Sequence, residues 1–189
     1  MEPRTIVMLG KAGSGKGTQV ELLQKKLTPH LTIHTGTLFR TLAAHDSLIG
    51  RKAKEELERG ELLPSWLATL LWQKVILEHF KGTEYLIFDG LPRRLEEATE
   101  LANLLTWLGR PEITTVLIDI SDEEALKRLT SRAREDDTHD AINVRLRWFR
   151  QDVGPVIDYY KNKGQLTQID GVGTVEEVAA RVAGALNLS

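Results

Sequence analysis

Residues 10 to 18 read Gly-Lys-Ala-Gly-Ser-Gly-Lys-Gly-Thr, so Gly10, Gly15 and Lys16 fit a Gly-x4-Gly-Lys pattern. The chemistry of such a loop is polyphosphate binding. Its glycines let the backbone wrap closely around phosphate oxygens, so that several N–H groups converge on them. The helix start that follows adds partial positive charge at the same spot, and Lys16 brings a full charge to the outer phosphates. Gly13, Ser14, Gly15, Lys16, Gly17 and Thr18 are the resulting candidates for holding ATP. The usual pattern puts a Ser or Thr ligand for Mg²⁺ directly after the lysine. Here Gly17 stands there and Thr18 follows, so the ion is expected to be held largely through water.

A second chemical signal is Asp89, which ends the apolar run Tyr85–Phe88. Phosphate-loop enzymes place at such a strand end the acid that orients Mg²⁺ or its waters. A third signal is arginine. Phosphoryl transfer depends on positioning and charge neutralisation, and guanidinium forks can bind two phosphate oxygens at once. Arg40, Arg93, Arg132, Arg134 and Arg145 are candidates, with Arg128 beside them. Arg128 and Arg132 share one face of a helix that runs through both. The competing reading of any one of them is a solvated helix surface, since Glu123, Glu124, Glu135, Asp136 and Asp137 are nearby. A GTPase switch would need Asp-x-x-Gly and then Asn-Lys-x-Asp. Pro92 stands where the glycine after Asp89 belongs, and Gln165 where the aspartate after Asn162-Lys163 belongs.

These residues need a scaffold. Strand-like runs at Thr5–Leu9, Leu31–His34, Tyr85–Phe88, Thr114–Ile120 and Leu166–Ile169 alternate with helical patterns at Gly17–Leu27, Lys52–Arg59, Trp66–His79, Arg94–Leu108 and Asp122–Arg134. Near-continuous apolar strands imply cover on both faces. The alternation predicts an α/β fold with a five-stranded parallel sheet between two layers of helices. Ligands on such sheets sit at the carboxyl ends of the strands, where these motifs fall.

The chain has 189 residues, 41% of them apolar, which fits one domain with a core. Lys plus Arg is 25 against 27 for Asp plus Glu, a net charge of −2, which argues against a nucleic-acid coat or a polybasic membrane anchor. No cysteine is present, so disulfides and thiolate chemistry are excluded. No segment reaches the ~18 apolar residues of a membrane span. The chain reads as cytoplasmic, and nothing in it demands more than a monomer.

Gly13-Ser-Gly-Lys-Gly-Thr-Gln19 resembles the phosphate loop of the adenylate kinase family. Thr35-Gly36-Thr37-Leu38-Phe39-Arg40, Glu61-Leu62-Leu63-Pro64, Asp89-Gly90-Leu91-Pro92-Arg93 and the stretch Arg128 to Asp137, with Arg145 and Pro155-Val156-Ile157, resemble later blocks of the same family, in the same order. The resemblance implies a three-layer phosphate-loop kinase with its core at 1–33, 64–130 and 139–189, a monophosphate-binding segment at 34–63 and a short lid at 131–138. It implies transfer of a phosphoryl group from Mg·ATP to a nucleoside monophosphate, foremost AMP. It places Thr35, Gly36, Arg40, Leu62, Leu63, Gly90 and Arg93 around the acceptor, and Arg128, Arg132 and the backbone of Gly173 on the ATP side. Arg134 and Arg145 would bridge to the acceptor and the migrating group. Lys16, Arg93, Arg132, Arg134 and Arg145 would then be the catalytic set. The short lid lacks the insertion that carries zinc in some relatives, and no zinc is expected.

Three positions depart from the family pattern. Ala12 replaces a proline in the phosphate loop. Thr37 replaces an aspartate, and is expected to cap the following helix with its hydroxyl. Glu97 replaces the glutamine that reads the acceptor adenine. An ionised carboxylate only accepts hydrogen bonds. It would weaken AMP discrimination or favour GMP, whereas a buried, protonated Glu97 would imitate glutamine. Alternatively, Glu96-Glu97 is helix surface and reads nothing. A kinase for another small metabolite and a nucleotide-binding module without catalysis are the remaining rivals.

Overall fold

The structure, a computed structural model, describes residues 4–132 and 138–188. β1 (Thr5–Leu9) leads through the phosphate loop into α1 (Lys16–Lys26). β2 (His30–His34) passes directly into α2 (Thr35–Ala43), followed by α3 (Leu48–Glu58) and α4 (Ser65–His79). β3 (Tyr85–Asp89), α5 (Leu95–Trp107), β4 (Ile113–Asp119) and α6 (Asp122–Arg132) complete the first part. Then come α7 (His139–Trp148), a π-helical turn at Phe149–Val153, α8 (Gly154–Asn162), β5 (Leu166–Asp170) and α9 (Val175–Ala185).

The five strands form one parallel sheet in the order β2-β3-β1-β4-β5. The central strands are buried on both faces because their residues alternate between two cores. Val7, Leu9, Leu86, Phe88 and Leu117 pack with α4, α5 and α8. Ile6, Met8, Ile87, Val116 and Ile118 pack with α1 and α9. That double burial explains the unbroken apolar runs. β5 is an edge strand and more exposed, and its Thr167 and Gln168 suit that position. A smaller core of Phe39, Ala53, Leu63, Leu67 and Ala68 joins α2 and α3 to α4.

The strand expectations hold to within a residue at each end. α3 starts four residues before its predicted start, because the Ser47 hydroxyl accepts from the Gly50 N–H at 3.0 Å and caps it there. Thr37 does not cap α2. That helix begins at Thr35, with His34 in the cap position and Thr37 in the first turn, where its hydroxyl accepts from Arg40 Nη2 at 3.4 Å. Most of the expected lid, including Arg134, lies outside the described residues. Among them, no helix is long and apolar enough to cross a membrane.

Candidate active site

A cleft of about 570 Å³ opens at the carboxyl ends of the strands. Two helix starts face into it: Lys16, Gly17 and Thr18 of α1, and Thr35, Gly36 and Thr37 of α2. Each leaves backbone N–H groups without intrahelical partners, so each is suited to an anion. Around them stand Arg40, Arg93, Arg128, Arg132 and Arg145. With Lys16 they make six cations against the carboxylates of Glu21, Glu61 and Asp89. An excess of that size selects for polyanions.

The phosphate loop is held by its own backbone and by the turn that leads from β4 into α6. Gly15 has φ +90°, a left-handed conformation that turns the chain into α1. Lys11 Nζ donates to the Ile120 carbonyl at 2.5 Å and pairs with Asp122 at 3.0 Å. Lys16 Nζ turns back on the loop, donating to the carbonyls of Gly10 at 2.6 Å and Lys11 at 2.8 Å. Burial holds its pKa down at about 8, against the pull of Asp89, with Arg93 and Arg132 lowering it further. Ser14 is buried under the loop rather than exposed to the cleft.

Asp89 closes β3 beside the loop. Burial pushes its carboxyl up, but a hydrogen bond from His34 and the charges of Lys16 and Arg93 outweigh this, so it lies below the ordinary range. His34 Nδ1 stands 3.1 Å from Asp89 Oδ2, and His34 Nε2 is 3.3 Å from Gln24 Nε2. The amide donating to Nε2 leaves the ring proton on Nδ1, where it donates to the carboxylate. His34, which no motif singled out, is thus a partner of the candidate metal-orienting acid. The two are paired in register as the last residues of β2 and β3. Thr35 Oγ1 donates to the Asp89 and Gly90 carbonyls at 3.1 and 3.0 Å and fixes the same strand end.

On the opposite side, Arg93 Nε donates to the Gly90 carbonyl at 2.7 Å. Burial lowers the Arg93 pKa, and Glu97 and Asp89 raise it. Glu97 is not helix surface: it is 3% exposed and its Oε2 accepts from the Arg93 backbone N–H at 2.8 Å. Burial pushes its carboxyl above the ordinary range, while the Arg93 amide and the charges of Arg93 and Arg94 pull it down. Its neighbour Arg94, which no motif singled out, donates to the Leu63 carbonyl at 2.8 Å and pairs with Asp152 at 3.3 Å.

The structure thus brings Gly13, Gly15, Lys16, Gly17, Thr18, Thr35, Gly36, Arg40, Asp89, Gly90, Arg93, Arg128, Arg132 and Arg145 to one cleft. Ser14, Leu62, Leu63, Glu97 and Gly173 are not among its lining residues. Leu63 is buried in the small core, and Leu57, Gly60 and Glu61 line the cleft there. The loop bearing Gly173 is linked to the site through Arg128, whose Nη2 donates to the Gly171 carbonyl at 3.1 Å.

No three His, Asp or Glu side chains gather into a metal cage among the described residues. The Asp89 carboxylate and the Thr18 hydroxyl both line the cleft. Such a sparse oxygen set suits an ion that arrives on phosphates and keeps most of its water, as Mg²⁺ does.

The sequence profile of adenylate kinase matches residues 8–165. The chain is 37% identical to an adenylate kinase of Xanthomonas oryzae pv. oryzae, over 96% of this chain and 98% of that one. It is 33% identical to an adenylate kinase of Thermus thermophilus, over 98% of both chains. An adenylate kinase of Flavobacterium johnsoniae is 32% identical, over 96% of this chain and 97% of its own.

Proposed function

The chain belongs to the adenylate kinase family, and we propose that ADP forms in the cleft by transfer of the γ-phosphoryl group of ATP to AMP. The enzyme is a phosphotransferase. A GTPase switch and a kinase for another metabolite fall away with the family assignment. The observation that carries the site assignment is the pair of facing helix starts, each ringed by cations and both opening into one cleft. Two polyanions can meet there in line, which is what the reaction requires.

ATP lies on the loop from Gly13 to Thr18, with Arg128 and Arg132 of α6 on its side. AMP lies in the segment 34–63, its phosphate toward the first turn of α2, Arg40 and Arg93. Arg145 of α7 reaches the group in transit. When phosphates arrive, the Lys16 ammonium exchanges the Gly10 and Lys11 carbonyls for phosphate oxygens, which restores its full charge. Asp89, oriented by His34, and Thr18 would hold Mg²⁺ arriving with ATP, and the ion would supply charge neutralisation. Glu97 braces the amide of Arg93. Nothing in the cleft has to act as general base.

The test is transfer of label from [γ-³²P]ATP to AMP in the presence of Mg²⁺. Label appearing in ADP and lost in the Lys16→Met variant supports the assignment. Undiminished transfer by that variant contradicts it.

A further inference from the structure

Arg93 lies against two aromatic rings from distant parts of the chain. Its guanidinium carbon is 5.6 Å from the centre of the Phe39 ring and 5.2 Å from that of Trp148. Phe39 belongs to α2 in the 34–63 segment, and Trp148 ends α7. Trp148 is anchored in turn: its indole N–H donates to the Gly60 carbonyl at 2.9 Å. Gly60 has φ +75°, and a Cβ there would stand 2.5 Å from the Ala141 carbonyl oxygen. The end of the 34–63 segment therefore meets α7 closely at both Ala141 and Trp148.

We propose that Trp148 is a positioning residue for the acceptor phosphate, acting through Arg93. A guanidinium is planar, and contact with a ring face sets its orientation. Arg93 Nε is already engaged by the Gly90 carbonyl, so ring contact fixes the plane in which the two terminal nitrogens present their N–H groups. The indole N–H ties that ring to the segment that receives AMP. Arg93 is thus oriented only while the 34–63 segment and α7 are together. The proposal rests on the reading that Arg93 holds the acceptor phosphate.

The test compares the parent with Trp148→Phe, Trp148→Leu, Arg93→Met and the Trp148→Leu/Arg93→Met pair, each checked for an intact thermal transition. KM for AMP, KM for ATP and kcat are measured for all five. Trp148→Leu is expected to raise KM for AMP roughly 5–30-fold, the range of a cation–π contact in a partly desolvated site. KM for ATP should stay within about twofold, since ATP does not use this contact. Trp148→Phe keeps a ring face and should recover most of the loss. In the Arg93→Met background the leucine substitution should add little, because the group it orients is gone. Trp148 emission should also change on AMP titration, a signal absent from Trp148→Phe. An unchanged KM for AMP in Trp148→Leu overturns the proposal. So does a loss fully additive with Arg93→Met, or an equal rise in both KM values. If Arg93→Met itself binds AMP like the parent, the acceptor reading of Arg93 fails, and this proposal with it.

Discussion

The two halves of the cleft are built in different ways. The half proposed for ATP is centred on one contiguous loop between β1 and α1, shaped by its own backbone and fastened by Lys11 to the turn after β4 and the start of α6. The half proposed for AMP is assembled from remote pieces. Arg93 is oriented by Phe39 and Trp148, its amide is braced by Glu97, and Gly60 seats on Ala141. Arg94 links Leu63 at the end of the segment to Asp152 in the π turn. A site held by local backbone is rigid as soon as the sheet folds. One held by long-range side-chain contacts depends on how the segment 34–63 packs against α5, α7 and the π turn.

The contrast is sharpest at Lys16. Lys16→Met should lower kcat by about 10²–10³-fold, the scale for loss of one charged stabiliser of the transition state, while KM for AMP changes little. Steady-state kinetics separates the two, and a rise confined to KM for AMP would erase the division between halves. Next in size is Gly60→Ala. The added Cβ meets the Ala141 carbonyl and the backbone there is left-handed, so a loss of about 1–3 kcal/mol is expected. Thermal denaturation and AMP affinity should both fall, with ATP affinity near parental. Unchanged AMP affinity would remove Gly60 from the acceptor half.

Lys16 also gives a pH signature confined to the ATP half. In the free protein its pKa is about 8, and polyphosphate favours the charged form and raises it. At pH 8, ATP binding should therefore take up about half a proton at this site, and at pH 6.5 almost none. Calorimetry in buffers of different ionisation enthalpy measures this, and AMP alone should not produce it. For stability the sign is opposite: between pH 8 and 10.5 the unfolded chain holds more protons at Lys16, so folding releases protons, and the penalty of burying the ammonium, fully present below pH 8, is relieved as pH rises. The smallest effect is expected at Glu97. Glutamine keeps an oxygen for the Arg93 amide, so Glu97→Gln should shift KM for AMP by less than about threefold, while Glu97→Leu, which leaves that N–H unpaired, should cost about 1–2 kcal/mol.

Legibility in the sequence follows the same division. The loop 10–18 carries its meaning in adjacent residues, and the apolar strands around it mark the sheet. Asp89 is readable because it ends such a strand. Capping preference pointed to Thr37, but β2 runs into α2 without a linker and His34 takes the cap position. The burial of Glu97 is visible in retrospect, since Glu97, Leu101 and Leu105 recur every fourth residue along the inner face of α5. The pairing of Trp148 with Gly60, like that of Arg94 with Leu63, has no local pattern. Such contacts exist only once the segment, α5 and α7 have packed together.

The central claim is that this cleft pairs ATP with AMP. Its most direct test is ADP formation from Mg·ATP with AMP, GMP, CMP and UMP supplied separately, beside the Lys16→Met control. Turnover at least about tenfold faster with AMP than with any other acceptor, a discrimination of about 1.4 kcal/mol or more, and lowered about 10²–10³-fold in the control, is the expected result. Equal turnover with GMP, or with all four, would contradict an acceptor half selective for adenine, and no turnover with any would contradict the phosphotransferase assignment itself.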